Sequence, residues 1–175
     1  MSTLEWSEAL ALELPAMDDT HREFVQLLAA VEGAGDAALQ AAWSDLTTHT
    51  DAHFGQEDRW MRDTGFTSTN CHTTQHQVVL QVMREGLRRG EVGQLDVIRQ
   101  MAHELAGWFP VHAQSMDAAL ALHLRSVGFD FATGRAALAP AGPAGGIQGC
   151  GSGACSPSPI PAACAPEPAP ESAPA

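Results

Sequence analysis

His53-Phe54-Gly55-Gln56-Glu57 decides the reading of this chain, because it sets an imidazole and a carboxylate four residues apart. Residues at that interval lie on one face of an α-helix, about one turn from each other, and can converge on the same ion. The interval recurs in His72-Thr73-Thr74-Gln75-His76. A third pair, His112 and Asp117, is separated by five positions. On a regular helix that places its members roughly 140° apart, so this pair needs a long reach or a local π-type widening. His21 stands upstream of all three pairs. Imidazole suits iron, copper, nickel or zinc, and a carboxylate can bridge two cations while offsetting their charge. Seven such groups exceed what one tetrahedral ion uses. The inventory is that of a buried two-metal site, with a structural zinc site as the alternative.

Four amphipathic segments carry these groups. The first is expected from Asp18 to Val31, with Phe24, Leu27, Leu28 and Val31 on one stripe and the capping-type run Met17-Asp18-Asp19-Thr20 at its start. The second follows Asp36, carries Leu39, Trp43, Leu46, His53 and Glu57, and ends at Gly65. The third runs from Asn70 to Arg89, with His72 and His76 in its first two turns and Val79, Leu80 and Met83 continuing the buried stripe. The fourth spans Gln94 to Leu124 and is interrupted at Pro110, which lacks an N–H and crowds the carbonyl of Ala106. Short connections make consecutive helices antiparallel neighbours. The expected fold is all-α, an up-down-up-down antiparallel four-helix bundle with the site in its core. It fills residues 1–135, of which 1–17 form an N-terminal arm.

These residues resemble the hemerythrin family. His53-Phe54-x-x-Glu57, His72-x3-His76 and Trp108-x3-His112-x4-Asp117 reproduce the family's ligand pattern in order, and the stretch from Trp6 to His21 resembles its N-terminal arm and first ligand. The resemblance covers residues 4–125. It implies a non-haem di-iron centre: His72, His76 and His112 on one iron, His21 and His53 on the other, with Glu57 and Asp117 bridging. The second iron would keep one open position, where the family binds dioxygen. Many members read Trp-Leu and then His-Ile near that position. This chain reads Trp108-Phe109-Pro110-Val111-His112-Ala113, so Trp108, Phe109 and Ala113 are the residues expected to line an altered pocket.

Three further histidines test the geometry. His103 precedes His112 by nine residues, about 180° round the helix, and is expected at the surface. His123 lies on the His112 stripe but about 16 Å further along the axis. His49 is one turn before His53 and is expected to be solvated.

Composition divides the chain. Nine of its eleven prolines follow residue 139, whereas every arginine, histidine and tryptophan precedes it. Residues 136–175 form a Pro, Ala, Gly and Ser tract that cannot bury enough apolar surface to offset ordering entropy, and are expected to be disordered. Cys150, Cys155 and Cys164 fall in this tract and match no zinc-finger spacing, so they read as incidental thiols; Cys71, beside His72, reads as a small buried thiol. The net charge is −12 and lysine is absent, which disfavours nucleic acid and anionic membranes, both bound through clustered positive charge. The acidic start has no apolar core of a secretory signal, and no long apolar run suggests a membrane span. A cytoplasmic location is expected, and the sequence names no protein partner.

Ligand balance bears on chemistry. Ferritin-like oxygen-activating sites use mainly carboxylates with Glu-x-x-His motifs. This chain has no such motif, and without tyrosine it has no tyrosyl radical. A histidine-rich site in an apolar core suits reversible dioxygen binding for storage, delivery or sensing. The alternatives are an enzyme using the same site, such as a peroxidase, a nitric-oxide-handling or an iron-oxidising protein, and an interaction module that reports iron or oxygen status.

Overall fold

The computed structural model describes residues 4–66 and 71–137. Helices account for most of them: α1 (Pro15–Gly33), α2 (Asp36–Thr64), α3 (Cys71–Glu91), α4 (Leu95–His112) and α5 (Ala118–Ser126). A five-residue π turn, Ala113–Asp117, joins α4 to α5 into one rod. α1 packs on α2 and α4, and α3 packs on the same two, which closes a four-rod ring.

The helix ends follow local chemistry. α1 starts three residues earlier than the sequence suggests, because Pro15 occupies its first turn with a preset φ and no donor to waste. Asp18 then reaches backwards instead of standing at the start, accepting the N–H groups of Leu12 (2.7 Å) and Leu14 (3.1 Å). At the far end of α2, Gly65 adopts φ 67°, and the N–H of Phe66 donates to the Met61 carbonyl at 2.9 Å. That left-handed cap suits glycine, which carries no Cβ penalty there.

Pro110 does not interrupt the fourth rod. α4 continues through it to His112, and the irregularity follows it as the π turn. There the Ala118 N–H donates to the Ala113 carbonyl, five residues back, and the Ser115 hydroxyl donates to the Val111 carbonyl at 2.6 Å.

Two apolar clusters form the core. One contains Phe24, Leu28, Leu39, Trp43, Met83, Ile98 and Phe109; the other contains Leu14, Met17, Met61, Phe66, Leu120 and Leu124. On α1 the order along the chain is Met17, His21, Phe24. On α2 it is reversed: Trp43, His53 and Glu57, Met61. The fourth rod repeats the α2 order with Phe109, His112 and Asp117, then Leu120. Antiparallel rods thus bring the polar residues to one level between two apolar layers.

A two-stranded antiparallel ribbon, β1 (Phe129–Asp130) and β2 (Arg135–Ala136), follows α5 and is not foreshadowed by the sequence pattern. Asp130 closes its turn by accepting the Ala132 N–H and the Thr133 hydroxyl. Phe129 and Phe131 stand edge-on to Trp60, at 6.2 and 5.2 Å between ring centres. β2 includes Ala136, which composition places in the tail; residues 138–175, with Cys150, Cys155 and Cys164, lie outside the described residues. Cys71 is partly exposed and disulfide-bonded rather than a buried thiol.

Candidate metal centre

All seven expected ligands converge. His21, His53, His72, His76, His112, Glu57 and Asp117 are each at most 4% exposed. Glu57, His72, His76, His112 and Asp117 form one group able to hold a metal ion, and His21, His53 and Glu57 form a second.

The carboxylates face both groups. Glu57 Oε1 lies 3.1 Å from His53 Nε2 and 4.0 Å from His21 Nε2, whereas its Oε2 lies 3.4 Å from both His72 Nε2 and His76 Nε2. Asp117 Oδ2 is 3.2 Å from His21 Nε2, and its Oδ1 is 3.0 Å from His72 Nε2 and 3.1 Å from His112 Nε2. Each carboxylate therefore turns one oxygen to the two-histidine group and the other to the three-histidine group. Asp117 reaches this position through the π turn, whose i→i+5 bonding puts more residues in each turn and brings residues five apart towards one face.

Two imidazoles are oriented from behind. His76 donates its Nδ1–H to Asp58 Oδ1 at 2.9 Å, and His112 donates its Nδ1–H to Gln75 Oε1 at 3.3 Å. Each bond fixes the tautomer that leaves the Nε2 lone pair facing inward. Those two Nε2 atoms are 3.3 Å apart, so in the neutral rings two acceptors face each other. A proton or a cation between them removes that conflict. Among the described residues several buried polar atoms at this centre also lack a hydrogen bond, including both nitrogens of His21 and His72 and both oxygens of Asp117. They lie close to partners without hydrogen-bond alignment, as ligands around an ion do, and buried polar groups are otherwise nearly always paired. The donor set fits a metal.

Electrostatics agree. Burial and the Asp117 charge push Glu57 up, yet His53 and His72 hold it well below the usual carboxylate range. Asp117 is likewise held low against its burial by His112, His21 and His72. Burial opposes charge on His72, but its contacts with Asp117 and Glu57 raise it to about 9. His21 and His76 are raised against burial by Asp117 and by Asp58, respectively. Burial prevails at His112, which is lowered. Without metal the centre holds protons in its place.

Aromatic rings wall the centre. Phe54 stacks on His76 at 3.9 Å between ring centres, and Trp108 stacks on His112 at 4.4 Å. Phe109 meets His21 edge-on at 5.2 Å and is itself stacked on Phe24 at 4.3 Å. Phe109 and Ala113 are fully buried. Trp108 and Phe109 thus stand against different histidine groups.

His103 is exposed, as expected, and His123 lies away from the centre, with its Nε2 3.3 Å from the Thr64 carbonyl. His49 departs from expectation: it is half-buried, lowered by burial, and donates Nε2–H to the Thr20 carbonyl at 3.2 Å. It lines a cavity of about 230 Å³ between α1 and α2 whose lining includes His53 and Glu57. Asp58, Gln75 and His49 do not stand out as site residues in the sequence, because each acts across a helix interface that spacing along one helix cannot report.

Four rods closing around five imidazoles and two carboxylates define a metal-binding helical bundle. The chain belongs to the hemerythrin family: residues 13–122 match the family model described as the Hemerythrin HHE cation binding domain. It is 36% identical over 130 residues to a protein named bacteriohemerythrin from Ralstonia nicotianae, covering 74% of this chain and 95% of that one. Bacteriohemerythrins of Pseudomonas paraeruginosa (25% over 122 residues, 67% of this chain and 79% of that one) and Stenotrophomonas maltophilia (24% over 125 residues, 69% and 81%) are also similar. No solved structure matches. Among the described residues no helix is long and apolar enough to cross a membrane.

Proposed function

We propose that the centre holds two iron ions and that the protein binds dioxygen reversibly, for storage, delivery or sensing in the cytoplasm. In this reading His72, His76 and His112 hold one iron, His21 and His53 the other, and Glu57 and Asp117 bridge them. The observation that carries it is the split of each carboxylate between the two histidine groups, which a single ion would not use. Imidazole and carboxylate donors suit iron, and family membership favours it. Iron, when bound, supplies the reversible redox chemistry that no side chain here offers.

The chain's own residues set the conditions. Three histidines serve one side and two serve the other, so the two-histidine side is the one with room for a ligand. Phe109 and Phe24 seal that side with apolar rings, restricting water and protons near His21. Asp58 and Gln75 hold His76 and His112 in their ligating tautomers. Residues 1–135 are taken as the domain that does this, and 136–175 as a tail outside it. Metal analysis should give close to two irons per chain, and the absorption spectrum should change reversibly between air and nitrogen. Tight binding of one zinc per chain, or a spectrum indifferent to oxygen, overturns the reading.

A further inference from the structure

A metal ion has to reach a centre whose seven donors are almost fully covered. A cavity of about 230 Å³ lies between α1 and α2 at the edge of that centre. His53 and Glu57 form part of its lining, together with Met17, Thr20 and Trp60, and it also takes in Glu23 and His49. The His49 nitrogen facing the Thr20 carbonyl must carry the proton, since a carbonyl only accepts. In the neutral ring Nδ1 then presents a lone pair, and it faces Glu23 Oε2 at 3.6 Å. That is beyond a good hydrogen bond. It is close to the spacing of neighbouring ligand atoms around a divalent cation, about 3.0–3.4 Å for bonds of roughly 2.1 Å. The Glu23 side chain is 68% exposed and that of His49 15% exposed, so the pair spans the step from solvent to interior. One helical turn deeper lies His53, its ring centre 6.1 Å from that of His49.

We propose that this cavity is the entry route for the divalent metal, with Glu23 and His49 as transit ligands that pass the ion to His53 and Glu57. Two donors are too few to retain an ion, which suits transit rather than storage. Charge agrees: the lining holds two carboxylates and no lysine or arginine, and the nearby Arg59 guanidinium is tied to the Gln56 side-chain oxygen at 2.7 Å. The inference rests on the centre binding metal and not on its binding dioxygen.

Metal exchange tests it without oxygen. The full-length chain, loaded anaerobically with Co²⁺, is mixed with excess chelator, and release is followed by cobalt absorption; the stripped chain, its helicity checked by circular dichroism, is then reloaded with Co²⁺. Glu23→Gln should slow uptake about tenfold, the lower end of what a focused charge contributes to an on-rate, and His49→Asn, which removes the neutral donor at Nδ1, should slow it as well. Release should slow by the same factor, so stoichiometry and affinity stay at wild-type values. Equal slowing in both directions marks a route, which a merely structural residue would not produce. Glu104→Gln, the same charge change on α4, should leave both rates unchanged. Unchanged rates in both mouth variants, slowing accompanied by weaker affinity, or equal slowing in Glu104→Gln each overturn the proposal.

Discussion

Gly86 offers a sharp test of how the bundle is packed. It is buried inside α3, and a Cβ built there would stand 2.6 Å from Trp43 Nε1, 2.8 Å from Trp43 Cε2 and 2.9 Å from the Met101 sulfur. Trp43 is fully buried and donates its indole N–H to the Met83 carbonyl at 2.9 Å, so the ring cannot retreat without losing that bond. Replacing glycine by alanine in a helix ordinarily stabilises by about 1 kcal/mol. Here overpacking costs about 1–3 kcal/mol, and an unpaired buried N–H about another 1–3 kcal/mol. The net expectation for Gly86→Ala is destabilisation of about 3 kcal/mol. Gly107 is the internal control, since it is exposed on α4 and a Cβ placed on it would meet nothing within 4 Å; Gly107→Ala should stabilise by about 0.5–1 kcal/mol. Urea denaturation of the metal-loaded chains, followed by circular dichroism, measures both. Adding Trp43→Phe should recover part of the Gly86→Ala loss, a coupling visible in a double-mutant cycle. Stabilisation by Gly86→Ala comparable to that at Gly107 would refute the packing argument.

Three further outcomes are expected. Asp58→Asn should weaken metal binding about 10–100-fold, read by competition with a chelator; unchanged affinity would mean that Phe54 stacking alone orients His76. Glu57 and Asp117 are depressed in the folded chain, so their contribution to metal-free stability is present above about pH 4 and lost on acidification. His72 is raised to about 9, so its contribution is complete below about pH 6.5 and lost as pH climbs through 9. The melting temperature of the metal-free chain should therefore fall across that alkaline window, and bound metal should abolish the fall by replacing the protons; a rise in the metal-free chain contradicts the sign. A chain truncated after Ala137, which also cuts the Cys71 disulfide, should keep its metal content and helicity; loss of either that full-length Cys71→Ser does not reproduce assigns residues 138–175 a part in the centre.

What the sequence disclosed follows from geometry along single helices. His53 with Glu57 and His72 with His76 were legible because four residues make nearly one turn. Asp117 was legible only as a condition, since five residues from His112 require a widened turn, and the π turn meets it. Contacts between helices were another matter. Asp58 reaches His76 from α2 to α3, and His49 reaches Thr20 from α2 to α1; neither register can be worked out from spacing on one rod. The α1 start lies three residues before Asp18, which looks like a cap yet acts from within the helix. The β ribbon leaves no mark in the sequence pattern, because strands of two residues are too short to show alternation.

The π turn also corrects a phase. Ala121 follows Phe109 by twelve residues, and Leu124 follows His112 by the same interval; in an unbroken α-helix each pair would be about 120° out of step. Absorbing one extra residue removes about 100° of that error, so Ala121 and Leu124 return to the buried side and are at most 1% exposed. If the same residues relaxed to a regular helix, Asp117 and α5 would swing together, turning Ala121 and Leu124 outward and carrying β1 away from Trp60. One widened turn therefore acts as a vernier between two features far apart in the bundle: the carboxylate at the metal centre and the aromatic cap at its end.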